Sequence, residues 1–389
     1  MTFSGYLRPD GKVGIRNKIL IVAVDECADG ICRAIAQDFD DAVVVTNFVT
    51  CMMAGNEELL HNIVGVGKNP NVAGAVVVAM GCGSIDPELV AAPIRETGKP
   101  AYSLRAISQG GTRKAVEHGR ELAAKVAEFA AACERIDAPL SKLTVGVKCG
   151  GSDASSGLAS NPTVGVAVDK LIDMGGTVIG GEVIEFIGGE KYLLERCATP
   201  EIREKLDRIM KAEERRWSIP GADVEIMSVG NSVGGLTTIE EKTLGALHKF
   251  GTHPVQGVLE ASRHGIETPE KPGLHLAEVT HLCGASAINF AAMGAQCIVW
   301  TSGGSGFNNE IIPVIRVSGN ADLFTEDQDI DARAIMRGEA TSQQVGEALF
   351  EKIIEIANGS PTAVEGIGYS YCSIYQKDQR IESCLGLLR

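Results

Sequence analysis

Short apolar runs rich in Val and Ile recur along this chain, and most are followed by a longer segment with helical spacing. Residues 19–24 (ILIVAV), 42–46, 72–80, 100–104, 143–147, 177–179, 297–300 and 311–317 have the length and β-branched content of buried strands. Segments 27–36, 57–66, 87–96, 111–136, 164–174, 199–217 and 342–357 carry apolar residues at helical spacing; in 111–136 the stripe is Leu122, Val126, Phe129 and Cys133. A strand that is apolar on both faces must be covered on both, and strand–helix alternation supplies that cover. The sequence therefore predicts an α/β protein, with two α/β domains and mostly parallel sheets. The first spans residues 1–138 and the second, catalytic one 142–389, with the turn-rich stretch 137–141 as linker.

Composition narrows the function. The net charge is −14, which argues against nucleic acid as a partner but leaves room for an anionic substrate held by a local basic cluster. The 11 cysteines are odd in number, no CxxC pair occurs, and residues 1–12 do not read as a signal peptide. A reduced, cytoplasmic protein is expected, with no membrane span. Neither GxGxxG after a strand, nor GxxxxGK[ST], nor GxSxG appears.

Chemistry-bearing residues concentrate where strands end. The stretch CGGSDASSGLASNP at 149–162 follows one predicted strand and opens one predicted helix. It offers a thiol (Cys149), a hydroxyl (Ser152), a carboxylate (Asp153) and an amide (Asn161) at the edge where open α/β sheets bind ligands. A tight connection with Ser152 or Asp153 capping the helix needs less than this inventory. After the next strand come Glu182, Glu185 and Glu190, bracketed by paired glycines and mixed with Ile184, Phe186 and Ile187. Acids so placed are metal ligands or groups with shifted pKa. The stretch NSVGGLTTIEEKTLG at 231–245 starts with Asn231 and runs into His248 and Lys249, at a helix end that would also stabilise a purely structural imidazolium. Cys27, Cys51 and Cys82 each follow a predicted strand.

Taken together, GYLRPDGKVGIRN at 5–17, CGGSD at 149–153, Asn161–Pro162, Glu182 with Glu185 and Glu190, and NSVGGLTTIEEKTLG at 231–245 resemble the altronate and galactarate dehydratase family. The resemblance covers nearly the whole chain. It implies elimination of water from sugar acids and an association with ferrous iron, Fe2+. Two departures stand out. The shared pattern starts at Gly5, without the small β-rich N-terminal domain fused to the sugar-acid members. Only Gly230–Asn231 remain of the proline-containing segment that usually precedes GGLTT. Both departures resemble the split, sulfolactate-cleaving branch of the family, in which the small domain is a separate alpha subunit. That branch implies a small alpha partner, an anionic 2-hydroxy acid as substrate, and an oligomer.

Both activities are β-eliminations from a 2-hydroxy acid. The C2 proton is weakly acidic, so a divalent metal chelated by the substrate carboxylate and hydroxyl would act as Lewis acid. The expected surroundings of the metal are Cys149, Glu182 and His248; a labile iron–sulfur cluster on Cys51, Cys82 and Cys149 is the competing arrangement. His248 or Lys249 is expected as base, with Glu182 in the catalytic set. Arg16, Arg105 or Lys148 would grip the substrate's acidic groups, with Ser152, Asp153, Asn161 and Asn231 lining its site. Glycine amides at Gly150–Gly151 and Gly303–Gly304 would add anion contacts. The alternative from another class is a noncatalytic binding subunit, which would need none of this inventory.

Overall fold

The computed structural model describes residues 1–47, 57–83, 85–217, 227–262, 264–302 and 306–374. In the first third of the chain run β1 (Thr2–Leu7), β2 (Val13–Gly14), β3 (Lys18–Ala23), α1 (Asp29–Ala36), β4 (Ala42–Val45), α2 (Glu57–Lys68), β5 (Val72–Ala79), α3 (Glu88–Arg95), β6 (Ala101–Arg105), α4 (Thr112–Ala131) and β7 (Arg135–Pro139). Then come β8 (Thr144–Cys149), α5 (Asn161–Asp173), β9 (Thr177–Gly180), α6 (Glu190–Glu195), α7 (Pro200–Trp217), α8 (Val229–Val233) and α9 (Ile239–Leu247). They are followed by β10 (Val255–Leu259), β11 (Ala261–Ser262), β12 (Gly265–Ile266), β13 (Gly273–Ala277), α10 (Cys283–Ala292), β14 (Cys297–Thr301), β15 (Val314–Ser318), β16 (Ile330–Asp331), α11 (Arg333–Met336) and α12 (Ser342–Ala357).

The protein is α/β, as the alternation predicts. Two sheets are wholly parallel, one of four strands in the order β4-β3-β5-β6 and one of seven in the order β10-β13-β9-β8-β14-β15-β16. Their central strands are apolar on both faces: every residue of β5 is buried, and so is β8 beyond its first residue. In the larger sheet the chain passes from β8 to β9 on one side, and the later strands β14, β15 and β16 build out on the other. That reversal makes the carboxyl end of β8 a topological switch point, where open α/β sheets leave a crevice.

The sequence predicted a helix over 111–136 and a linker at 137–141. The helix instead ends at Ala131, and Arg135–Pro139 is a strand pairing antiparallel with β1, in register from Thr2 opposite Pro139 to Tyr6 opposite Arg135. Pairing with a strand 130 residues away overrode the local pattern. That partner is itself the chain's opening strand, Thr2–Leu7.

The two parallel sheets share one apolar core, in which Leu20, Val45, Val77 and Ile63 join Phe290, Ile298 and Trp300. Polar groups pin the same junction. Asn69 Nδ2 donates to the carbonyls of Ala291 (2.7 Å) and Ala295 (2.8 Å). Asn71 accepts from the Ile15 amide at 2.8 Å and donates to the carbonyls of Gln296 (2.7 Å) and Ile311 (2.8 Å). Gly65 lets α2 meet α10 closely; a Cβ there would lie 2.7 Å from that of Ala292. No helix among the described residues is long and apolar enough to cross a membrane.

The Asn71 side chain is fully buried and satisfies two donors, the Ile15 and Arg16 amides, and two acceptors. Replacing it by Leu strands those groups away from water, at a cost of about 3 kcal/mol. The expected outcome for Asn71→Leu is a lower thermal midpoint with retained far-ultraviolet circular dichroism, read by calorimetry.

Candidate active site

The site forms around the last two residues of β8. Alternation along a strand sends Lys148 and Cys149 to opposite sides. Glu182 bridges them: Oε1 accepts from Lys148 Nζ at 2.5 Å, and Oε2 accepts from the Cys149 amide at 2.8 Å. Glu182 reaches this position because its backbone is left-handed, with φ 68° and ψ 69°; among the described residues no other non-glycine has positive φ. Such a conformation costs on the order of 1–3 kcal/mol and persists where the surroundings over-determine it.

Glu185 comes from the short turn Val183–Phe186, its amide bonded to the Glu182 carbonyl. Lys249 comes from the turn His248–Phe250 after α9. That turn is seated on α5 at Gly165, where a Cβ would lie 2.2 Å from the His248 carbonyl oxygen. Docked this way, the turn points His248 to solvent and Lys249 inward, completely buried. The Lys249 ammonium donates to Glu185 Oε2 (2.5 Å) and to the Cys149 sulfur (3.0 Å), and lies 3.9 Å from Glu182 Oε2. Lys242, on α9, reaches Glu185 Oε1 at 3.2 Å.

Burial, and then the neighbouring Glu185, raise the pKa of Glu182. Burial would also raise Glu185, but the Lys249 and Lys242 ammonium groups outweigh it and hold that carboxyl below the usual range. Burial pushes the Cys149 thiol up to about 11. For Lys249, burial is outweighed by Cys149, Glu185 and Glu182, so its ammonium is held more firmly than usual. With the thiol protonated, three lysines (148, 242 and 249) face two carboxylates, an excess of one positive charge.

A cleft of about 480 Å³ opens over this cluster, with Lys148, Glu182, Glu185, Asn231, Lys242 and His281 among its walls. His281 stacks edge-on against Trp217 with ring centroids 5.3 Å apart. Burial, and then Lys148, lower the His281 pKa.

The structure thus brings together Cys149, Glu182 and Lys249, with Asn161 beside them: its Oδ1 accepts from Thr301 Oγ1 at 2.7 Å and lies 3.7 Å from the Cys149 sulfur. Asn231 lines the cleft and donates to the Ser152 carbonyl at 2.9 Å. Asp153 is engaged by Ser155 and Asn320, so it ties the loop together. His248 is exposed and stands outside the cluster. Arg16 does not face the cleft; its guanidinium is taken by Glu365 and by the carbonyls of Ile15, Ile356 and Ser360, clamping the segment after α12. Arg105 is at the surface, paired with Asp86. Cys82 is exposed at the end of the four-stranded sheet and joins no group of ligating side chains among the described residues. Cys51, Gly303 and Gly304 lie outside the described residues. The sequence reading did not single out Lys242, His281 or Thr301. Lys242 precedes Lys249 by 249 − 242 = 7 positions, two helical turns, a spacing that would have placed both on one face.

Ligand atoms of Cys149, Glu182 and Glu185 all lie within 4.8 Å of one another. A thiolate with two carboxylates suits a divalent transition ion such as Fe2+, and the Lys249 ammonium stands among them as a cation already does. The donor set therefore fits a metal.

Comparison with known proteins adds two family matches. Residues 140–379 match the C-terminal model of D-galactarate/altronate dehydratase, and residues 5–131 the second-domain model of D-galactarate dehydratase/altronate hydrolase. The chain is 33% identical to the (2R)-sulfolactate sulfo-lyase subunit beta of Chromohalobacter salexigens, over 95% of each chain. It is 29% identical to the altronate dehydratase of Bacillus subtilis, over 92% of this chain and 74% of the relative. It is 30% identical to the galactarate dehydratase of Escherichia coli, over 92% of this chain and 73% of the relative.

A buried thiol with its pKa near 11 is about one part in a thousand thiolate at pH 8, and thiolate is what alkylating reagents attack. Iodoacetamide at pH 8 is expected to label exposed Cys82 at least about 100-fold faster than Cys149, whose rate climbs as pH rises toward 11. Peptide mass spectrometry of quenched time points reads both rates.

Proposed function

Because the chain belongs to the D-galactarate/altronate dehydratase family and is a lyase of that family, we propose that it catalyses β-elimination from an anionic 2-hydroxy acid, cleaving (2R)-sulfolactate. The observation that carries this reading is the cleft floor, where three lysines surround two carboxylates and a thiol. A surplus of positive charge in a buried site favours a dianionic ligand, and it favours still more the charge that builds on a carboxylate as its α-proton leaves.

The sulfolactate assignment is supported by the match to the sulfo-lyase beta subunit, at 33% identity over 95% of each chain. By the same comparison we propose a second, smaller subunit as partner. In the reaction the C2–H bond breaks, its electron pair forms the C2=C3 bond, and the C3–S pair leaves with sulfite. The enol product gains a proton at C3 and loses its hydroxyl proton to give pyruvate.

The chain's own residues divide the work. His281, whose pKa burial and then Lys148 lower, lines the cleft wall, and we propose it as the group that takes the C2 proton. Lys242, the more exposed of the two lysines on the cleft wall, is set to hold the substrate's carboxylate or sulfonate. Lys148 is spent on Glu182 and on the carbonyls of Cys149 and His281, so it positions those three groups. Asn231 and Gly151 line the wall, while the Gly150 amide is taken by the Thr301 carbonyl. A divalent ion held by Cys149, Glu182 and Glu185 would supply Lewis-acid stabilisation of the developing enediolate. Fe2+ is the ion we propose.

The test is direct. The chain, with its small partner and Fe2+ under anaerobic conditions, is incubated with (2R)-sulfolactate and separately with altronate. Sulfite release from the first, with no water loss from the second, is expected; the reverse would make this a sugar-acid dehydratase. His281→Asn is expected to lower kcat by about 10²–10⁴ with little change in KM. Lys242→Met is expected to raise KM about tenfold or more, at a smaller cost in kcat.

A further inference from the structure

We propose that Lys249 is the built-in occupant of the cation position among Cys149, Glu182 and Glu185, and that a divalent metal enters only by displacing its ammonium. The inference rests on the reading of those three residues as metal ligands.

The carboxylate oxygens sort themselves into two sets. Each outer oxygen is taken by a peripheral lysine: Glu182 Oε1 by Lys148 at 2.5 Å and Glu185 Oε1 by Lys242 at 3.2 Å. Each inner oxygen faces Lys249: Glu185 Oε2 at 2.5 Å and Glu182 Oε2 at 3.9 Å. The Cys149 sulfur completes the ring of acceptors at 3.0 Å. An ammonium directs its three N–H bonds tetrahedrally, which is also the geometry preferred by zinc with thiolate and carboxylate ligands.

Metal bonds to these atoms are about 2.0–2.3 Å long, against the 2.5–3.0 Å reach of the ammonium. A metal bound to the same sulfur and oxygens would occupy the space they enclose, which the ammonium now faces from 2.5 and 3.0 Å. Two cations cannot share that volume. Lys148 and Lys242 obstruct nothing, because they hold the far sides of the carboxylates and orient the inner oxygens. Loading the site is then an exchange of one cation for another, in which Lys249 must swing away from the sulfur. The same ammonium keeps two buried carboxylates compensated while no metal is bound.

The test compares wild type, Lys249→Met and Lys242→Met in anaerobic titrations with Co2+, following the thiolate-to-cobalt charge-transfer band, and with Fe2+ by equilibrium dialysis. Lys249→Met is expected to bind Co2+ at least tenfold more tightly than wild type, with the thiolate band, and to show a larger metal-dependent rise in Tm. Lys242→Met is expected to gain no affinity. Equal affinity and equal bands in wild type and Lys249→Met would overturn the exchange while leaving the metal ligands in place. A folded Lys249→Met that loses the band would overturn it by making the lysine part of the site. Absence of the band in every protein would overturn both this proposal and the metal-ligand reading; sulfite release then still decides the lyase reading. Should Lys249→Met unfold, recovery on adding Co2+ supports the proposal, and failure of both Lys249→Met and Lys249→Gln to fold with Co2+ overturns it.

Discussion

Two carboxylates cannot be carried into a protein interior unless cations go with them. Each uncompensated charge costs several kcal/mol even after relaxation. Glu182 and Glu185 are both buried, so the fold must deliver ammonium groups to them from elsewhere. It does so from three separate places: Lys148 from a central strand, Lys242 from a helix, and Lys249 from the turn beyond it. The strand lies far in sequence from the helix and its turn, and their meeting helps to define the local architecture. Apolar packing tolerates exchange of one aliphatic side chain for another, whereas loss of a charge here leaves a buried partner less compensated.

The parallel sheet makes the meeting possible. In register, Thr301 of β14 lies opposite Cys149 of β8, and Gly180 of β9 lies opposite Val147. The carboxyl ends of three neighbouring strands therefore open onto one crevice. The smaller sheet is not a loosely tethered companion. It shares an apolar core with the larger one and is fastened to it through Asn69 and Asn71. The cleft consequently stands on a rigid base, and its chemistry depends on side-chain placement within that base.

Much of this was legible in the sequence. Strand–helix alternation gave the fold class, because a doubly buried strand must be nearly continuous in Val and Ile, and β5 and β8 are. Cys149 and Glu182, read as following strand ends, meet Lys249, read at a helix end, in one buried cluster. What failed was orientation. His248 and Lys249 are adjacent, and only the seating of their turn on Gly165 determines which one faces inward. Arg16 was expected at the substrate because guanidinium groups suit anions. Its N–H donors are instead consumed by Glu365 and the carbonyls of Ile356 and Ser360, about 340 residues away in the chain, and by the neighbouring Ile15 carbonyl. Strand β7 was read as a helix end running into a linker because its partner is the first strand of the chain, and periodicity is blind to such distant pairing.

The seating of that turn on Gly165 has a consequence of its own. The bare α-carbon and the carbonyl resting on it act as a datum surface, setting how deep the following residue plunges. A single methyl group added there would act like a shim, lifting the Lys249 backbone and drawing its charge away from the sulfur. The electrostatic character of the crevice is thus calibrated by a residue that carries no charge and never meets a ligand.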